Sequence, residues 1–295
     1  MSPSPNLSRR DALKALAAGA TAALSLPAIA AAETTQKSRA SSAAFKQSVC
    51  RWCYKDMPFE KLCAAARDIG LESIELLGPD DWPMLKKYGL TCAMANGATT
   101  IPDGFNRVEN HARLVPAFEQ RLREAADAGL PNVICFSGNR RGLDDEAGLE
   151  NCVTGIKQIM PAAERHGVTV CMELLNSRVN HKDYQCDRTP WGVELVKRVG
   201  SERFKLLFDI YHMQIMEGDV IRTIRDNKNY IRHYHTAGNP GRNEFTRPED
   251  IQELDYASIM RAIADTGFKG FVGQEFIPTR DPLESLREAV ELCRV

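Results

Sequence analysis

Four apolar runs in the second half of the chain each end in an ionisable residue, at spacings that restrict how the backbone can be arranged. Val168-Thr-Val-Cys-Met leads into Glu173, Phe204-Lys-Leu-Leu-Phe into Asp209, Tyr230-Ile-Arg-His-Tyr into His235, and Gly270-Phe-Val-Gly-Gln into Glu275. These residues are 36, 26 and 40 positions apart, the length of a strand, a helix and two loops. Repeated units of that kind build a parallel sheet, and when the sheet closes, the C-terminal strand ends converge on one mouth. Taken singly, an Asp at a strand end is ordinarily a helix cap and a Glu a solvated loop residue. Four in phase with the repeat point instead to one site. Three carboxylates and one imidazole suit Mn²⁺, Mg²⁺ or Co²⁺ better than a thiolate-bound structural zinc.

The same alternation runs back through the chain. Strands are expected at 46–53, 73–77, 91–95, 132–136, 168–173, 204–209, 230–235 and 270–275. Helices are expected at 58–69, 82–88, 109–128, 147–165, 190–200, 217–229, 255–266 and 282–293. This is the pattern of an α/β fold, a (β/α)₈ TIM barrel forming a single domain over 46–295. An open doubly wound sheet is the alternative, but no glycine-rich phosphate turn follows any early strand. The long segments 96–107, 174–190 and 236–254 follow strands and are the expected seat of function.

The first 32 residues have a different character. Ser8-Arg9-Arg10-Asp11-Ala12-Leu13-Lys14 precedes an alanine-rich apolar stretch, then Pro27 and small residues to Ala32. This is the anatomy of a secretory signal, and the paired arginines make it resemble a twin-arginine leader, although Ala12 stands where a bulky Phe is common. The apolar stretch is too short for stable membrane insertion, which takes about 20 residues. The expectation is a periplasmic protein, exported by the twin-arginine machinery, with the signal peptide removed and 33–45 serving as a flexible tether. Loss of 1–32 removes three cations and one anion, so the formal charge of −1 becomes −3. That leaves no basic footprint for nucleic acid. Nine cysteines are an odd number, most of them within apolar runs, and they read as packed thiols rather than a disulfide framework. Cys50-Arg-Trp-Cys53 is expected inside the first strand, where the two thiols would point to opposite faces.

Several motifs together carry a family resemblance. They are Glu173-Leu-Leu-Asn176, Phe208-Asp-Ile-Tyr-His212, Glu217-Gly-Asp219, His233-Tyr-His-Thr-Ala-Gly-Asn-Pro-Gly-Arg242 and Gly273-Gln-Glu275. The chain resembles the hydroxypyruvate isomerase group of the xylose isomerase-like barrels, relatives of which include ketose 3-epimerases and 2-oxo-tetronate isomerases. The likeness spans about 46–293 and is densest after Val168. It implies a metal-dependent isomerase or epimerase acting on a small unphosphorylated sugar or keto-acid. By the same resemblance, Glu173, Asp209, His235 and Glu275 hold the divalent cation, and Glu173 and Glu275 also move protons. His212 contacts substrate oxygens, and Arg242 lies in the loop over the substrate's other end. One departure is that hydroxypyruvate and oxo-tetronate isomerases tend to carry Gln at the position of His235, where ketose epimerases carry His. The leader is a second departure.

Moving a carbonyl, or inverting the carbon beside it, requires removal of a weakly acidic C–H proton and stabilisation of the enediolate that results. A cation against the oxygens and a pair of carboxylates meet that need. A lyase or hydrolase acting on a 3-keto-glycoside would share the first step. A non-catalytic sugar-binding protein would not need two carboxylates on one cation. Metal-dependent endonucleases of the same fold use many more histidines than the six present here. Among the remaining residues, Asn176 is expected to orient Glu173 or touch substrate, and Trp52 to line the pocket or fill the barrel. His233 is expected to be structural, and Glu217 and Asp219 to be favourable charges at a helix start.

Overall fold

The computed structural model describes residues 43–295. The leader and most of the tether read from the sequence lie outside the described residues. Seven strands form one parallel sheet: β1 Lys46–Cys50, β2 Ser73–Glu75, β3 Asn132–Cys135, β4 Thr169–Leu174, β5 Phe204–Asp209, β6 Ile231–Thr236 and β7 Phe271–Gln274. Their order is β2-β1-β7-β6-β5-β4-β3. The expected strand at 91–95 is present only as isolated parallel bridges, Ser73 to Thr91, Leu77 to Ala95 and Ala95 to Val133. These link β2 to β3 and close the ring. Within the run, side chains take up backbone groups that a ladder would use: the Ala93 N–H bonds Ser73 Oγ, and Asn132 Nδ2 donates to the Ala93 carbonyl, both at 2.8 Å.

The helices are α1 Phe59–Ile69, α2 Trp82–Lys87, α3 Val108–Asp127, α4 Asp145–His166, α5 Thr189–Val199, α6 Ile210–Met216, α7 Val220–Asn227, α8 Tyr256–Asp265 and α9 Pro282–Leu292. Each buries one face against the sheet. In α1 that face is Leu62, Cys63, Ala66 and Ile69, the 3–4 spacing of an amphipathic helix. It stops at Gly70, whose left-handed backbone (φ 96°) lets its N–H reach the Ala66 and Arg67 carbonyls. Inside the barrel, Met94, Ile134, Cys171 and Leu207 make a small apolar layer, separate from the larger core beneath the helices. At the chain's other end, the Ala44 N–H bonds the Val295 carbonyl at 2.9 Å and Phe45 is buried.

Two expectations are corrected here. β1 ends at Cys50, and Arg51–Tyr54 is a 3-10 turn, so Cys50 and Cys53 do not share a strand. All nine cysteines are free, and eight are buried. The helix expected at 217–229 is α7, and before it stands a helix that was not expected, α6, which Asp209 caps directly off β5 and which Gly218 (φ 65°) separates from α7. No helix of the described residues is long and apolar enough to cross a membrane.

Candidate functional site

The sheet places four residues at one end of the barrel. Glu173 is the penultimate residue of β4, Asp209 the last of β5, His235 the penultimate of β6, and Glu275 follows β7. Asp209 pairs in register with His235, and His235 with Gly273, which stacks the strand ends side by side. The register skips exposed Arg232, so His233 and His235 both turn inward. One ligand atom from each of Glu173, Asp209, His235 and Glu275 lies within 4.8 Å of the others, all four residues being buried.

Buried charges need partners, and those of this cluster are unequal. Glu275 is held from both sides: Trp52 Nε1 donates to its Oε1 at 2.8 Å and Arg242 Nη2 to its Oε2 at 2.8 Å. Burial pushes its carboxyl up, but His235 and Arg242 overcome this and hold it well below the usual range. Among the described residues the Glu173 carboxylate is paired with His235 Nδ1 alone, at 3.4 Å, and burial raises its pKa. Asp209 divides its oxygens. Oδ1 accepts the His212 N–H at 2.9 Å as the α6 cap, and Oδ2 faces the cluster 3.8 Å from Arg242. Burial, then the charge of Glu275, raises Asp209 well above an ordinary aspartate.

The residues fit a divalent cation. Nδ1 of His235 is buried without a hydrogen-bond donor or acceptor of good geometry, yet lies 3.1 Å from Glu275 Oε2 and 3.4 Å from Glu173 Oε1. An imidazole nitrogen surrounded by carboxylates is a metal-ligand arrangement, and the three-oxygen, one-nitrogen set has the composition expected for Mn²⁺, Mg²⁺ or Co²⁺.

Beside the cluster opens a cavity of about 460 Å³. Glu173, Glu275 and Arg242 form its polar side, and Leu76, Ile134 and Phe136 its apolar wall. Trp52 lines it as well, which settles its placement. Arg242 lies over the rings of Trp52 and Tyr211, 5.0 and 5.2 Å from their centroids. Its backbone is left-handed (φ 59°), as is that of Leu76 (φ 60°), conformations that cost a non-glycine residue about 1–3 kcal/mol and gather at functional sites.

Other assignments shift. Asn176 is fully buried and does not reach Glu173. Its Nδ2 meets His212 Nδ1 at 2.6 Å and its Oδ1 accepts the Val179 and Asn180 N–H groups. His212 thereby turns Nε2 toward Asp209 Oδ2, at 3.7 Å, and burial, with Arg242, holds its imidazole well below its usual pKa. Glu217 is not a loose helix-start charge: it accepts from Thr189 N at 3.0 Å and Thr189 Oγ1 at 2.6 Å, tying α6 to α5. Sequence reasoning missed Glu75 altogether. It sits fully buried on β2, its Oε1 2.8 Å from His233 Nε2 and 2.7 Å from His235 Nε2. The available signal was a carboxylate inside the apolar run Ser73-Ile-Glu-Leu-Leu77.

Comparison with known proteins agrees with this architecture. A human protein provisionally named hydroxypyruvate isomerase is 27% identical over 256 residues, covering 84% of each chain. The 2-oxo-tetronate isomerase of Cupriavidus necator is 29% identical over 240 residues, covering 76% of this chain and 89% of its own. A solved structure from Brucella melitensis, described as an AP endonuclease of family 2, superposes with a TM-score of 0.71 at 26% identity, over 82% of this chain and 97% of that one. Residues 63–294 match a single family, and the chain belongs to it: the xylose isomerase-like TIM barrels.

Proposed function

We propose that this protein is a cation-dependent isomerase or epimerase of a small unphosphorylated sugar or keto-acid, working by proton transfer at a carbon beside a carbonyl. It is an enzyme of the isomerase class, in keeping with its relatives. The observation that supports the finer reading is the convergence of Glu173, Asp209, His235 and Glu275 within 4.8 Å at the edge of a cavity. When bound there, a divalent cation supplies positive charge against the developing enediolate.

The residues divide the remaining work. Glu173, raised in pKa and free of strong donors, is suited to take the proton. Glu275, pinned by Trp52 and Arg242, is the weaker base and acts from the other side as the proton-returning partner. Trp52, Leu76 and Phe136 keep water from the reacting carbon. His212, its Nε2 buried without a hydrogen-bond partner 3.7 Å from Asp209 Oδ2, is assigned the contact to substrate oxygens, and Asn176 fixes which nitrogen that is. The Arg9-Arg10 leader supports a periplasmic setting reached by twin-arginine export.

A second reading, elimination from a keto-glycoside, is favoured by one observation. The cavity of about 460 Å³, walled by Leu76, Ile101, Ile134 and Phe136, has room for a ligand bulkier than a three-carbon keto-acid. Product identification decides. With Mn²⁺ present, ketoses, keto-acids and keto-glycosides are incubated with the protein and followed by NMR. An epimer or positional isomer is the expected product. Release of the aglycone alone would favour elimination, and no turnover of any class would defeat both.

A further inference from the structure

The interior of a barrel of this kind is normally filled by layers of apolar side chains, and Met94, Ile134, Cys171 and Leu207 form one here. Glu75 stands among such residues with no exposure to solvent. An acid in that position is costly unless it is paired and hydrogen-bonded. Its partners are both histidines of β6, through their Nε2 atoms, at 2.8 Å for His233 and 2.7 Å for His235. The two rings stand nearly perpendicular, at 85°, so each directs an Nε2 at the same oxygen.

A neutral imidazole carries one N–H, and the partner of one nitrogen decides the role of the other. At His235 the nitrogen facing Glu75 can only donate, since an ionised carboxylate only accepts. In the neutral ring the one N–H goes to the closer carboxylate, Glu75 at 2.7 Å, and Nδ1, 3.1 Å from Glu275 and 3.4 Å from Glu173, keeps its lone pair. We infer that Glu75 is a positioning residue: it holds His235 as the Nε2–H tautomer and aims Nδ1 at the carboxylate cluster, while His233 supplies the second donor that fixes Glu75.

The surroundings are built around this contact. A Cβ on Gly273 would come within 2.5 Å of Glu75 Oε1 and 2.9 Å of His235 Cδ2, so only glycine leaves room. Cys50 Sγ closes a further side, 3.7 Å from both Glu75 Oε1 and His235 Nε2. Immediately after Glu75 the backbone turns left-handed at Leu76, whose N–H bonds the Met94 carbonyl at 2.8 Å. The carboxylate is therefore held by its own strand as well as by its partners. Carboxylates behind metal-ligating histidines typically change affinity 10–100-fold when removed.

The inference rests on reading the cluster as a cation site, and two measurements separate the two ideas. The first is Mn²⁺ affinity by electron paramagnetic resonance of the free ion, for wild type and Glu75→Gln. The variant is expected to bind 10–100-fold more weakly, and its cation-free melting temperature should fall too, since Glu75 pairs two buried imidazoles. A residue that only packs the barrel would show a lower melting temperature with unchanged affinity, and that result would overturn the assignment. The second needs no cation: ¹⁵N NMR of the His235 ring at a pH where it is neutral. Wild type is expected to carry its proton on Nε2, with Nδ1–H gaining in Glu75→Gln, where the amide can donate to Nε2. A proton on Nδ1 in wild type overturns the inference without recourse to any variant. If Glu75→Gln does not fold, His233→Asn takes its place, with a smaller loss of Mn²⁺ affinity expected and unchanged affinity counting against the role. Wild type that binds no Mn²⁺ defeats the cluster reading, and the NMR result still decides on Glu75.

Discussion

Arg242 and Glu275 meet at 2.8 Å, Nη2 to Oε2, with the Arg242 side chain only 11% exposed and the Glu275 side chain 5%. The same guanidinium stands 3.8 Å from Asp209, so one loop cation offsets part of the charge of two buried carboxylates from the ends of β5 and β7, the strands that flank β6. Removing one partner of a buried pair costs about 3–5 kcal/mol. Arg242→Met is therefore expected to destabilise the cation-free protein by about that order, and by clearly less with Mn²⁺ bound, because the ion supplies the missing positive charge. Denaturant unfolding with and without Mn²⁺ measures the difference. An equal cost in both conditions would mean that no ion shares the site.

Asp209 combines two roles that substitutions can separate. Its Oδ1 caps α6 through the His212 N–H, and its Oδ2 faces the cluster. Asp209→Asn keeps a competent cap and removes the charge, so cation occupancy should fall with little loss of stability. Asp209→Ala should lose the cation and about 0.5–2 kcal/mol as well. Metal analysis and thermal unfolding of the two purified variants test this. Full occupancy in Asp209→Asn would leave the residue as a cap only.

The carboxylates also set a pH dependence. Burial raises Glu173, and burial with Glu275 raises Asp209, so in the cation-free protein both hold protons at higher pH than ordinary acids. A cation must displace those protons. Apparent affinity should therefore strengthen as pH rises through their raised pKa values and weaken as it falls. Titration calorimetry in buffers of different ionisation heat should show proton release on binding. Proton uptake would reverse the sign and refute the account.

The leader makes a separate prediction. Replacing Arg9 and Arg10 with Lys should retain the protein in the cytoplasm and leave the purified enzyme's activity unchanged, since both lie outside the matched region 63–294. Fractionation of cells expressing the variant measures this. Efficient arrival in the periplasm would rule out the twin-arginine route.

Much of this arrangement was legible before the structure, and the reasons are physical. The βα period placed Glu173, Asp209, His235 and Glu275 because a parallel barrel maps equal steps in sequence onto neighbouring positions around one mouth. Side-chain networks have no such period. Asn176 is expected from the sequence to orient Glu173 or touch substrate, but the chain turns at Asn176 and its amide meets His212 on the next unit. Glu75 escaped because strand periodicity says which face a residue takes, not which histidine 158 or 160 positions away completes its bonding. The 210–216 helix was missed because its apolar residues continue the β5 run without a break, and only the cap at Asp209 marks the change.

The central claim is that Glu173 and Glu275 move a proton beside a carbonyl. The direct measurement is solvent deuterium incorporation at the carbon next to the carbonyl of an unphosphorylated ketose or keto-acid, followed by NMR with Mn²⁺ present. Wild type should exchange. Glu173→Gln, which keeps an oxygen and removes the stronger base, should slow exchange by about 10²–10⁴-fold, and Glu275→Gln should slow it less or affect one epimer only. Undiminished exchange and turnover in both variants would show the carboxylates to be spectators and contradict the account.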